Sequence, residues 1–524
     1  MPGQVMNSQP KNRTVDQRIA WVVVVAVALV GCSSKGDTSQ VKESEKRTTG
    51  HVGDGSSQTE SLPELWYVNY VLGERVGYER QSFVWITQEG HRLRKISGES
   101  RLRVKRANTV VEMMVRHTCW ETPEGRPIRF EVETDQGGTI NRTKGEVREG
   151  HVMMEVEVAG QTVKRTLPCP ADCRGFLGLQ ESLFENRMNP GEQRSLTTFL
   201  PGLNDVATIT LKAGEWEMLQ LGERRIRCLA IGFTMSIGST GTFQGRLWVN
   251  EQGVIVKQET DSPQMTTILV TRDEALEEPG DPGLDLVRDI RITVKQPASD
   301  LDRAVQAVYR MSSDGEDLSQ LIPSDSHQTV KPVGRHVVEL HVHPPSSSSQ
   351  PLNCGEVADS STTESSVWIQ ANAPEIVQLA QTASSGESDP RNIVLALAKL
   401  VYRTVKNKGY DHAFLSALEV AQRKEGDCTE HAVLLAALAR ARGLPARVAV
   451  GLVLQGDAFY YHMWTEVFID GCWVGFDATR ERCLVTPGYI KLAQDSLQAA
   501  DGMGALLPAM KLMGQLRIEF VSVE

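Results

Sequence analysis

The sequence predicts an α+β fold for its C-terminal third, helices packed on an antiparallel sheet, behind a β-rich front half. Three observations predict it. Residues 65–276 alternate apolar and polar side chains over short runs broken by Gly and Asn, the period-two signature of half-buried strands. Residues 389–442 carry two apolar runs of helical length, each opened by an Asp in cap position. An alternating segment through His462 then reaches Gly471 and a second short run, a hairpin pattern.

The chain has 524 residues, enough for three or four domains, and a formal net charge of −10. An acidic balance argues against general nucleic-acid binding and against adhesion to anionic lipid through a basic face. Lys11, Arg13 and Arg18 precede an apolar run over residues 19–30. That run is too short to span a bilayer, which needs about 20 residues, and fits the core of a signal peptide. It ends Leu29-Val30-Gly31-Cys32, which resembles a bacterial lipoprotein lipobox. The resemblance implies cleavage before Cys32 and lipidation of that cysteine. Residues 1–31 are therefore expected to be a lipoprotein signal peptide, and Ser33 at the next position favours the outer membrane of the cell envelope. Residues 32–63 are rich in Ser, Thr, Gly, Lys and Glu and read as a disordered tether.

The β-rich domain is expected over residues 64–278. Trp66-Tyr67-Val68-Asn69-Tyr70-Val71 opens it, Ile128 to Val132 and Val152 to Val158 alternate, and Asn250-Glu251-Gln252-Gly253 separates two strands as a hairpin turn. Many short strands with turn signals suggest an antiparallel sandwich or half-barrel. No nucleophile, phosphate loop or metal spacing stands out there. Pro279-Gly280-Asp281-Pro282 marks a boundary. Residues 283–345 read as a small β-containing unit, with residues 301–311 ambiguous between helix and strand. A linker is expected over residues 346–368, opened by four serines, so that residues 369–524 form a unit of their own. Within it, Asp389-Pro390 caps a helix to about residue 406. Residues 488–513 read as two helical pieces, and residues 516–523 as a last strand that joins the sheet.

The stretch around Cys428 carries the chemistry. Asp427 is a good N-cap, and Glu430 three residues on completes a capping box, so Cys428 takes the first helical position. Residues 432–439 are apolar without a break, which buries this helix; Gly443 and Pro445 end it. Amide donors at a helix N-terminus favour a thiolate by only about 0.3–1 kcal/mol. Asp427 and Glu430 oppose it. A charged imidazole in contact would decide the balance. His462 offers one. It shares a strand face with Trp464, Glu466 and Phe468, and the next strand can set Asp477 beside it as the orienting carboxylate. By residue type alone, a buried Cys is ordinarily a small apolar core residue and a lone His a satisfied polar group.

Ser416-Ala417-Leu418-Glu419-Val420, Gly426-Asp427-Cys428-Thr429-Glu430-His431, Gly443-Leu444-Pro445-Ala446-Arg447, His462-Met463-Trp464-Thr465-Glu466 and Asp477-Ala478-Thr479 resemble, in that order, the transglutaminase-like superfamily. The match is to its bacterial transglutaminase-core domains and covers roughly residues 370–524. It implies a papain-like fold and a Cys-His-Asp triad carried onto Cys428, His462 and Asp477. It also implies a protein or peptide substrate and no cofactor or metal. Cross-linking members have Gln before the nucleophile and Trp after it, where this chain has Asp427 and Thr429. The expected activity is thus a thiol protease or amidase acting on amide bonds. Glutamine acyl transfer and a non-catalytic envelope binding protein are the alternatives. Gln422, six residues before the cysteine, is a candidate second oxyanion donor, as upstream Gln residues are in papain-like enzymes. Trp464 and Glu466 are candidates to line the site, and His431 to support the cap.

Setting aside Cys32 and Cys428, seven of nine cysteines remain. Export permits disulfides, and Cys169-Pro170-Ala171-Asp172-Cys173 is the best candidate pair; a Cys472–Cys483 bridge is a second. His341 and His343 lie two apart on one strand face, more often a solvated edge than a metal site.

Overall fold

The computed structural model describes residues 64–106, 109–136, 139–158, 160–200, 205–237, 241–277, 280–295, 301, 303–344, 356–406, 415–498 and 507–524. The signal stretch, Cys32, the tether and Cys354 lie outside the described residues.

Among the described residues the front half forms an antiparallel sheet of 14 strands. It is built from two meanders, and the seam between them pairs the first strand, Leu65–Val71, with the last, Met265–Val270. The strand His91–Arg106 shows why these residues form a sheet. Arg94, Ile96, Gly98, Ser100, Leu102, Val104 and Arg106 are buried in strict alternation with half-exposed neighbours. Ile96, Met113, Phe130, Ile231 and Leu247 belong to the core that this face makes. Other aromatic side chains serve as platforms for cations, with the Arg129 guanidinium 4.1 Å from the Trp120 ring centre and that of Arg227 4.8 Å from Trp216. The β-rich front half read from the sequence is thus present as two joined antiparallel meanders.

The C-terminal third is mixed α and β. Helices Pro374–Ala383, Pro390–Thr404, Ala417–Arg423 and Cys428–Ala441 lie together, the last packed on the strand Ala458–Ile469. Asp389 caps the second with its carboxylate 2.9 Å from the Asn392 amide, as its place before Pro390 predicts. The sheet runs Ile292–Thr293, Ala458–Ile469, Ala446–Gln455, Tyr489–Asp495, and Cys472–Phe476 pairs with the far end of Ala458–Ile469.

Three expectations are corrected here. Residues 489–495 are a strand, not a helix. Tyr489, Ile490, Lys491, Leu492 and Ala493 are buried on both faces beside Ala446–Gln455, so the environment overrides a composition suited to a helix. The last strand, Leu516–Val523, does not join the sheet that holds Ala458–Ile469. It pairs with Ala307–Ser313 in a separate sheet with Gln328–Gly334 and Val337–Val342. Residues 283–345 and 369–524 are therefore interlocked. Tyr309 donates to the Pro487 carbonyl at 2.8 Å, and the Gln328 amide donates to the Lys491 carbonyl at 2.8 Å. The segment expected as linker is described from residue 356, and Val367 and Trp368 within it are buried in the core. A serine-rich run in the sequence carries no information on the packing of what flanks it.

Candidate functional site

Cys428 begins its helix as the cap spacing predicts. The Asp427 carboxylate accepts from the Thr429 amide at 2.8 Å, and the Glu430 carboxylate accepts from the Asp427 amide at 2.9 Å, closing the capping box. Gly426 makes this entry possible. Its φ is +143°, and a Cβ there would lie 2.3 Å from Cβ of Glu430. His431 bonds through Nδ1 to the Asp427 carbonyl at 2.5 Å, so it ties the cap down, the supporting role expected of it. Cys428 is a reduced thiol with no exposed surface.

His462 lies on the strand Ala458–Ile469, which is fixed to the cysteine helix by Thr465 donating to the Ala432 carbonyl at 2.8 Å. The hairpin brings Asp477 to it, one residue past the strand Cys472–Phe476, with His462 Nε2 2.9 Å from Asp477 Oδ2. The carboxylate is further held by the hydroxyls of Tyr489 at 2.7 Å and Thr479 at 2.6 Å, and by the Thr479 amide at 2.9 Å. Burial pushes the Asp477 carboxyl upward. The His462 charge and hydrogen bond, then Arg480 and Thr479, outweigh it and hold the group well below the usual carboxylate range. Asp477 is thus held as the carboxylate anion, and an anion on Nε2 favours the charged imidazole. The Trp464 ring stacks near His462 with centres 6.4 Å apart and is itself buried against Val453, Val485 and Tyr489.

Two candidates go elsewhere. The Gln422 amide is exposed and donates to Glu375 at 3.2 Å, because the short helix Ala417–Arg423 turns it outward. Glu466 accepts from Lys491 at 2.9 Å and from Arg447 at 2.8 Å, and Lys491 also pairs with Asp325. Alternation correctly put Glu466 on the face of His462. It could not show that a lysine on the next strand but one would occupy it.

The cysteine pairings are also corrected. Cys169 and Cys173 are both reduced thiols, and so is Cys483, which donates to the Arg480 carbonyl at 3.1 Å; Cys472 is held in a disulfide and so cannot bridge to it. His341 bonds to Glu339 at 2.9 Å. Among the described residues no group of three or more His, Cys, Asp or Glu side chains is placed to hold a metal ion.

Two contributors were not legible in sequence. Tyr489 sits in a stretch that reads as helix. Arg106, from the β-rich sheet, forms an ion pair with Asp427 across 321 residues of chain, with both side chains almost wholly buried.

No curated protein matches this sequence. Among solved structures, a proposed cysteine protease from Cytophaga hutchinsonii is 17% identical, covering 42% of this chain and 85% of its own, with a TM-score of 0.27. A β-barrel-like protein from Brucella abortus is 10% identical, covering 40% of this chain and 95% of its own, with a TM-score of 0.30. A proposed protease from Parabacteroides distasonis is 9% identical, covering 65% of this chain and 64% of its own, with a TM-score of 0.18. Residues 377–478, the span that holds Cys428, His462 and Asp477, match the family model of the transglutaminase-like superfamily, and it is to this superfamily that the C-terminal third is linked.

Proposed function

We propose that the protein is a cysteine-dependent hydrolase of amide bonds, acting on peptides or proteins at the bacterial cell envelope. One observation carries the reading. A buried histidine is fixed through Nε2 by a carboxylate that itself has three further donors, on a strand packed against a helix that starts with a cysteine. With Nε2 engaged, Nδ1 is the nitrogen that takes the Cys428 proton and later returns it to the leaving amine. Sulfur attacks the carbonyl carbon, the amine departs protonated, and water releases the acyl group from the thioester. Amides at the start of the cysteine helix stabilise the oxyanion.

Water is the proposed acceptor because Asp427 and Thr429 stand where cross-linking enzymes carry Gln and Trp. Incubated with an acyl-donor peptide and millimolar primary amine, the protein is expected to yield mostly the hydrolysed acid. Mass spectrometry showing mainly amine adduct would reverse the assignment to acyl transfer. A second reading, a binding protein that keeps the fold without turnover, is favoured by the complete burial of Cys428; it predicts neither product.

The anchor is proposed from Leu29-Val30-Gly31-Cys32. Cys32→Ala is expected to abolish lipid labelling and move the protein from the membrane fraction to the soluble fraction. A mature N-terminus other than residue 32 in the unsubstituted protein would sink the proposal.

A further inference from the structure

We infer that Arg106 is a positioning residue of the cysteine centre: the β-rich sheet supplies, through this guanidinium, the counter-charge that lets Cys428 ionise. The inference rests on reading Cys428 as the nucleophile.

The cap that places Cys428 also works against it. Asp427 immediately precedes Cys428 and carries a buried carboxylate, and like charge disfavours a thiolate. A helix terminus supplies only about 0.3–1 kcal/mol in the other direction. Arg106 changes this balance. It is the last inward side chain of the strand His91–Arg106, and its Nη2 pairs with Oδ2 of Asp427 while Oδ1 keeps the cap on Thr429. The two side chains are 1% and 2% exposed, so water screens the pair little. On Glu430 its influence runs the other way: burial pushes that carboxyl up, to about 7, and Arg106 is the largest pull downward, so it is the Asp427 charge and not that of Glu430 that Arg106 offsets.

The strand end is held in place for this. The Lys105 amide donates to the Leu284 carbonyl at 2.8 Å, the Leu286 amide donates to the Lys105 carbonyl at 2.9 Å, and the Lys105 ammonium pairs with Asp281. Arg106 therefore enters the interior from an anchored backbone.

The charged and titratable groups around the thiol can be named by element. Asp427, Glu430 and His431 come from the cap and first turn of its own helix. Glu419 comes from the preceding helix and acts on Glu430. His462 comes from the strand, Asp477 from the hairpin and Arg106 from the β-rich sheet. Arg480, from beyond the hairpin, lies 3.6 Å from the Asp477 carboxylate. His462 and Arg106 offset carboxylates at the cysteine centre, and Arg106 comes from the β-rich sheet, outside residues 377–478.

The test is the pH profile of Cys428 alkylation by iodoacetamide, read by mass spectrometry on the full chain with Cys483 as reference. Arg106→Met is expected to raise the midpoint by about one pH unit and slow labelling near pH 6 about tenfold. Asp427→Asn retains a capping side chain and removes the negative charge, so its midpoint falls by about one unit. The double variant Arg106→Met/Asp427→Asn returns close to the parent value. A merely structural Arg106 would change the plateau rate or the melting temperature and leave every midpoint in place, which overturns the inference. Should Arg106→Met fold poorly around an unpaired buried carboxylate, Asp427→Asn against the double variant decides. Equal midpoints in those two overturn the proposal, and a higher midpoint in the double supports it. The nucleophile reading is judged separately, by whether the unsubstituted Cys428 ionises well below an ordinary thiol.

Discussion

His462→Ala is expected to slow alkylation of Cys428 near pH 6 by at least about tenfold and to raise its pH midpoint toward or above the ordinary thiol value near 8.5. The substitution removes the imidazolium and leaves the Asp477 carboxylate buried without it. Both changes disfavour a thiolate. Asp477→Asn is expected to act in the same direction and to a smaller extent, because it works through the orientation and charge of His462. Cys483 is the internal control. Burial and then the neighbouring Asp477 charge push its thiol up to about 11, so it stays inert across the range from pH 5 to 9. Cys472, being oxidised, serves no such purpose. Equal labelling of Cys428 and Cys483 near pH 6, unmoved by His462→Ala, would leave the binding-protein reading in place of the hydrolase. Cys428→Ala should in parallel abolish peptide hydrolysis, since no other thiol occupies the head of that helix.

The second large effect is on stability. Lys491→Met is expected to cost about 3–5 kcal/mol, because removing one member of a buried ion cluster leaves the others uncompensated. The Lys491 ammonium has no exposed surface and meets Glu466 and Asp325, which are themselves buried. Glu466 keeps Arg447; Asp325 loses its cation. A urea midpoint that moves by less than the error of its measurement would show the cluster to be neutral in energy. The cluster also gives an acid limit. Burial raises the Asp325 carboxyl but Lys491 lowers it further, and the net shift is downward, as it is for Asp477. A carboxyl depressed in the folded state contributes stability above the unfolded value of about 3.9. That contribution is lost as pH falls below it. Acid unfolding should therefore set in below about pH 4.

The local features of the site were legible because they depend on neighbours in sequence. The capping box at Asp427 and Glu430, the break at Gly443 and the alternation through His462 all follow from spacing of two to four residues. The hairpin register then brings Asp477 to His462 with little freedom. What failed has a common cause. Tyr489 and Lys491 read as helix because their strand is specified by burial between two layers, which no local pattern reports. Glu466 was placed on the right face but assigned to the wrong neighbours, since its partners lie on other strands. Arg106 was out of reach for the same reason. The separate C-terminal unit was inferred from a run of serines, whereas the strands on either side of that run belong to one sheet.

The seam of the large sheet has a kinetic consequence. Within each meander a strand meets the next one in the chain across a short connection. The seam instead pairs Trp66 with Val270, 270 − 66 = 204 residues on. Chain-closure entropy grows by about 0.6 kcal/mol for each doubling of loop length, so the seam is disfavoured relative to a three-residue hairpin by about 4 kcal/mol. The two meanders should therefore zip first and the seam close late, in the manner of other high-contact-order sheets. Until it closes, the strand Leu65–Val71 has one row of backbone donors and acceptors unpaired along a mostly apolar segment. In that interval it and its seam partner Met265–Val270 present open edges for pairing with a second chain.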